Sequence, residues 1–234
     1  MLNLKSFTQY VTEGTKDVTI AWGRFNPPTI GHEKLLTAVA KTARGSAYKI
    51  YASQSADPKK NPLQYKDKIK YMRKMFPKHS RNIMISSKIR TIMELLSSLY
   101  DQGFNKVTIV AGSDRVTEYQ TLANKYNKVK GRHGFYNFDG GINIVSAGVR
   151  DPDAEGATGM SASKMRAAAA DNDFQTFSKG LPSVNIMLFI NVPISSLDTT
   201  GLFFPTLAEE AFSKALYNNS KVFDCKLVLP NSLV

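Results

Sequence analysis

Cysteine is almost missing: Cys225 stands alone in 234 residues, which excludes a disulfide framework and a cysteine-rich zinc site and fits a reducing compartment. Long apolar runs are missing too. Nothing approaches the roughly 18 consecutive apolar residues of a membrane span, and the N-terminus lacks the basic-then-apolar pattern of a secretion signal. The expectation is a cytoplasmic protein with no membrane partner. Acids are scarce in one place only. Residues 41–90 hold fourteen Lys and Arg against Asp57 and Asp67, so this segment carries the whole net charge of +12 and the rest of the chain sums to zero. Apolar residues are not short. Leu, Ile, Val, Phe and Met suffice to offset the entropy of ordering, which excludes a disordered chain, and the length suits one large domain with appendages.

What is present is an alternation. Val18 to Trp22 reads as a strand, a Gly/Pro-rich turn follows, and Leu35, Leu36, Val39, Ala40 and Ala43 recur at helical spacing. The unit repeats with a strand at 48–52 and a helical stripe of Tyr65, Ile69, Met72 and Phe76. Then come a short apolar run at 83–85, a helix at 89–100 ended by Gly103, a strand at 107–111 and a helix after Ser113-Asp114. A strand at 142–145 precedes a helix starting near Ser161. This order predicts an α/β fold: a doubly wound, mostly parallel sheet of Rossmann-like type with helices on both faces. The chain divides into an N-terminal extension (1–16), a domain (17–182) and a C-terminal extension (183–234). The sequence leaves open whether the last part adds to the sheet edge or builds a homo-oligomer. Such sheets bind ligands at the carboxyl ends of their strands, which directs attention to the loops after Trp22, Ala52, Ala111 and Val145.

The first of these loops is Gly23-Arg24-Phe25-Asn26-Pro27-Pro28-Thr29-Ile30-Gly31-His32. Glycines at 23 and 31 allow a phosphate close to the backbone, two prolines stiffen the turn, and the helix that follows offers unpaired N–H groups to an anion. The ten-residue pattern resembles the signature of the nucleotidylyltransferase superfamily with the cytidylyltransferase-like fold, Gly-x-Phe-x-Pro-x-(His/Thr)-x-Gly-His, matched by Gly23, Phe25, Pro27, Thr29, Gly31 and His32. The family's second signature, a Ser-Ser-Thr-x-x-Arg-like string opening a late helix, is similar to Met160-Ser-Ala-Ser-Lys-Met-Arg166, where Ala162 and Ser163 depart from the commonest version. Ala111-Gly112-Ser-Asp114 and Lys59-Lys60-Asn-Pro-Leu63 look like the Gly-x-Asp turn and the substrate loop of nicotinamide-nucleotide adenylyltransferases. The resemblance covers residues 17–180.

It implies joining of a nucleoside triphosphate to a phosphorylated small-molecule acceptor with release of pyrophosphate. The acceptor phosphate is already ionised, so the protein must supply alignment and charge neutralisation rather than a strong base. The resemblance assigns His32 and Thr29 to the α-phosphate and Arg166, Ser161 and Ser163 to the β- and γ-phosphates. Gly23, Arg24, Phe25, Asn26, Gly31, Gly112 and Asp114 then line the substrate site, and Lys59 and Lys60 meet acceptor phosphate or pyrophosphate. It also implies Mg²⁺ bridging phosphates and largely water-coordinated, which needs no carboxylate cluster. Plainer readings stand beside these: Ser161 or Ser163 as a helix N-cap, Arg166 as a solvated helix residue, Asp114 as a cap and Trp22 as core or pocket wall. His79 and His133 lie in polar stretches and are given no role. Ser161-x-x-Lys164 also fits a serine/lysine motif, but the accompanying Lys-Thr-Gly is absent.

AMP transfer from ATP to an acceptor such as nicotinamide mononucleotide is the leading expectation. Cytidylyl transfer and adenylyl transfer to another phosphate stay open. A different class of reading is a non-catalytic nucleic-acid-binding protein using residues 41–90, disfavoured because Tyr65, Tyr71 and Phe76 are spent on a helix stripe. Lys66, Lys68, Lys70, Arg73 and Lys74 are expected mostly to face water. Finally, Leu4 to Gly14 resembles capsid-targeting peptides of contractile-tailed phages, cut after a Glu such as Glu13. That implies capsid association in a virion, against the plainer reading of a helix packing on the domain.

Overall fold

The computed structural model describes residues 16–57, 60–148 and 159–182. The peptide at 4–14, Lys59 and the extension at 183–234 lie outside them. The elements are β1 (Asp17–Gly23), α1 (Ile30–Ala43), β2 (Ala47–Ala52), α2 (Tyr65–Met75), a 3₁₀ turn (Pro77–Asn82), α3 (Ile92–Asp101), β3 (Lys106–Ala111), a 3₁₀ turn (Ser113–Arg115), α4 (Val116–Tyr126), β4 (Ile142–Ser146), α5 (Ala162–Ala170) and α6 (Phe174–Ser178). The four strands form one parallel sheet in the order β2-β1-β3-β4, with Ile20 registered against both Lys49 and Ile109. The α/β sheet expected from the sequence is the one observed.

Strand alternation explains the two covered faces. Val18, Ile20, Val107 and Ile109 point to a core built with Ile92, Leu95, Leu96 and Leu99 of α3 and Tyr119 of α4. Ala21 and Val110 face Val39 of α1. On that same side Ile50 and Ala52 join Leu36, Ile69 and Met72 of α1 and α2 with Met165 and Ala168 of α5. Each fully buried Leu or Ile contributes roughly 1.5–3 kcal/mol relative to an exposed one, and strand alternation sends neighbouring residues to opposite faces.

Consecutive connections run from β1 outward to β2, then back across to β3 and β4. The strand order therefore reverses between β1 and β3, and the crevice over their carboxyl ends is the place such sheets use for ligands. The loop at 23–32 and the turn at 112–115 flank it.

Two local features complete the picture, the second of them a correction. The short apolar run at 83–85 makes an isolated bridge, Ile50 to Ile83, and the carbonyls of Ser86, Ser87 and Ile89 accept from the Gln54 amide at 2.9, 3.1 and 2.8 Å. His79, expected in a polar stretch, is buried, and its Nδ1 pairs with the Tyr48 hydroxyl at 3.2 Å.

Candidate active site

The loop after β1 folds on itself before it meets any ligand. Phe25 adopts φ 46°, a left-handed conformation uncommon for an aromatic residue, with its ring 1% exposed. The ring lies back over Gly23, where a Cβ would come within 2.9 Å of it. Its centroid is 4.8 Å from the His32 ring. The Asn26–Pro27 peptide is cis. Thr29 is the N-cap of α1, and its backbone N–H donates to His32 Nδ1 at 2.9 Å, with the Thr29 Oγ1 also 2.9 Å from that nitrogen. Because a backbone N–H can only donate, Nδ1 is the acceptor, and the neutral ring carries its proton on Nε2. His32 is thereby set as a donor at the first turn of a helix, with exposed Gly31 beside it.

Two other elements grip the same loop. Asn26, 2% exposed, donates through Nδ2 to the Leu63 carbonyl at 3.1 Å and accepts the Leu63 N–H at 3.0 Å, so its side chain joins the loops after β1 and β2. From α5, Arg166 Nη1 donates to the Asn26 carbonyl at 2.8 Å while Nη2 donates to Ser163 Oγ at 3.1 Å. Ser161 is the N-cap of α5, its Oγ accepting the Lys164 N–H at 3.1 Å. The structure thus brings the two signature strings together on one loop: Arg166 and Ser163 at Asn26, Thr29 three residues on and His32 six.

Sequence reasoning missed Lys68. It sits on α2 among exposed lysines, yet it is fully buried, its Nζ donating to the Ser53 carbonyl at 2.8 Å and the Ser55 carbonyl at 3.3 Å at the carboxyl end of β2. Burial, with the Arg24 charge beside it, pulls its pKa down to about 8. Arg24 likewise helps burial lower the pKa of Arg166, against the opposing pull of Asp57. Lys68 thus lies at the carboxyl end of β2, and Arg166 reaches the loop after β1 at the Asn26 carbonyl. The helical phase of α2 was the available signal, since Lys68 falls on the same side as Ile69 and Met72.

The remaining expected residues are placed less centrally. Lys60 is exposed in a turn closed by Asp57, whose Oδ1 accepts its backbone N–H at 2.6 Å and whose Oδ2 accepts from Asn61 Nδ2 at 2.5 Å. Asp114 is exposed, packs over Gly112 and lies 4.0 Å from Arg115 Nε. No bond ties Asp114 to the first loop among the described residues; α4, which follows the turn, reaches the end of β1 through Tyr119, whose hydroxyl donates to the Trp22 carbonyl at 3.2 Å. Trp22 is half-buried against the α3 core.

A family model described as cytidylyltransferase-like matches residues 20–168, from the middle of β1 into α5. The chain belongs to the cytidylyltransferase-like family. A comparison with curated proteins finds no match. Membership in the cytidylyltransferase-like family implies binding of a nucleoside triphosphate and points to nucleotidyl transfer. No described helix is long and apolar enough to cross a membrane.

Proposed function

We propose that this cytidylyltransferase-like protein transfers AMP from ATP to a phosphorylated small-molecule acceptor, nicotinamide mononucleotide being the first to test, and releases pyrophosphate. The observation that carries the reading is the meeting of the two signature strings on the loop after β1, where Arg166 donates to the Asn26 carbonyl at 2.8 Å and the Thr29 N–H donates to His32 Nδ1 at 2.9 Å.

In this reading the triphosphate lies over the loop at 23–32. Nε2–H of His32 donates to an α-phosphate oxygen, where charge grows as the acceptor phosphate attacks. Exposed Gly31 lets the α1 N–H groups approach the same phosphate. Arg166, already oriented by Asn26 and Ser163, takes the β- and γ-phosphates and stabilises departing pyrophosphate. Lys68 and Arg24 complete the positive wall, and Lys60 opens toward the acceptor. The acceptor oxygen needs no base, so positioning and charge neutralisation supply the rate. Mg²⁺ would enter here with the triphosphate as part of the substrate, and no side chain of the protein is assigned to it.

Adenylyl transfer is preferred to cytidylyl transfer on the wording of Asn26 to Thr29 and of Gly112-x-Asp114. The test is a matrix of ATP and CTP against phosphorylated acceptors with product masses read out. An adenylylated acceptor is expected. A cytidylylated product would overturn the choice of base, and no product with any pair would overturn the function.

A further inference from the structure

One face of α2 is unused by this chemistry. The helix buries Lys68, Ile69, Tyr71, Met72 and Met75, and its other side is built of cations. Lys66, Lys70 and Lys74 follow at four-residue steps; the helical phase ends at Phe76 (φ −122°, ψ 65°), and Lys78 and Arg81 are exposed in the 3₁₀ turn that follows. Steps of four keep side chains on one side of a helix and advance about 6 Å each. Arg73, also exposed, is fixed in place, its Nε and Nη2 donating to the Ile83 carbonyl at 3.2 and 2.8 Å. Like charges at this spacing weaken a helix, whereas alternating glutamates would keep it as soluble and strengthen it. Yet Asp67 is the only acid between residues 60 and 90. The uniform sign costs stability and needs a reason outside the fold.

We propose that the stripe from Lys66 to Arg81 docks along the phosphate backbone of double-stranded nucleic acid, as a second binding function separate from the nucleotide site. A protein partner would find no desolvated apolar centre, which protein interfaces require; Ile85, 56% exposed, is the only exposed large apolar residue from 60 to 90. A single strand would find no stacking platform. Tyr71 and Phe76 are 2% and 1% exposed, and the Tyr65 hydroxyl is engaged by the Ser86 N–H at 2.9 Å. What the surface offers is phosphate contact without base reading, which binds any sequence and fades with salt.

The experiment is fluorescence anisotropy of the full chain with short random-sequence DNA and RNA duplexes, a matching single strand and polyglutamate, across a salt series. The expected result is duplex binding with log K falling against log salt at a slope of roughly −3 to −4, the value for about four phosphates. The neutralised variant Lys66→Gln/Lys70→Gln/Lys74→Gln/Lys78→Gln should lose at least about tenfold in affinity and flatten the slope, with an unchanged circular dichroism spectrum. Should that variant misfold, Lys74→Gln/Lys78→Gln at the end of the stripe should show about half the change in slope. Absence of duplex binding at low salt, binding unaltered by neutralisation, or polyglutamate or single strand binding as well as duplex would each overturn the proposal.

Discussion

At the scale of single residues, the site is made of groups whose partners are already chosen. His32 illustrates it: the Thr29 N–H occupies Nδ1, so the proton is left on Nε2. The two loop glycines separate packing from binding. Gly23→Ala sets a Cβ within 2.9 Å of the Phe25 ring, which in turn rests on His32; it should lower the melting temperature and the turnover together. Gly31→Ala meets only Thr29 Oγ1 at 3.5 Å, so it should melt like the parent and lose affinity for ATP in calorimetric titration. Lys68 predicts a pH dependence. Its folded pKa of about 8 lies below the ordinary 10.5, and a bound polyphosphate draws the proton back, so ATP affinity should weaken as pH rises from 8 toward 10.5. Lys68→Arg keeps its charge throughout and should remove that decline. For folding alone the sign is reversed: the charged buried lysine is a cost below pH 8 that fades as pH rises, because the folded chain then releases a proton the unfolded chain retains. His32 and Arg166 were singled out from the sequence because each sits in a local string, and the structure brings those strings to one loop. Lys68 was not, because its charge argues for solvent and only its helical phase argues for burial.

At the scale of elements, the first loop is fixed from both sides by contacts distant in sequence. Asn26 satisfies both backbone groups of Leu63, so Asn26→Ala leaves a buried donor and acceptor unpaired. A loss of about 1–3 kcal/mol is expected in urea unfolding, along with weaker ATP binding as the loop loosens. Asn26 looked like a ligand-facing residue in the sequence, and a contact spanning thirty-seven positions leaves no local trace. Helix starts were easier to read where chemistry marks them. Thr91-x-x-Glu94 is a capping box, with Thr91 Oγ1 accepting the Glu94 N–H at 3.2 Å, and it moves the start of α3 to Ile92 from the 89 that apolar spacing suggested. The short helix α6 was missed because five residues cannot show a helical period; its Asp173 cap, accepting from Thr176 at 2.9 Å, was the available sign.

At the scale of the molecule, the fold divides a one-sided charge distribution between two places. Alternation of strands and helices made the parallel sheet readable, and the family match from 20 to 168 covers the same span. The basic segment divides: Lys68 enters the sheet's mouth beside Arg24, and the stripe on α2 stays outside. The account rests on nucleotidyl transfer at the loop after β1, and pyrophosphate release tests it most directly. With Mg²⁺, ATP and nicotinamide mononucleotide the chain should release pyrophosphate. His32→Ala should lower kcat by roughly 10²–10³-fold, the effect of removing one oriented donor, while ATP still binds. Release that is unchanged in His32→Ala, or no release with any triphosphate and phosphorylated acceptor, would contradict it.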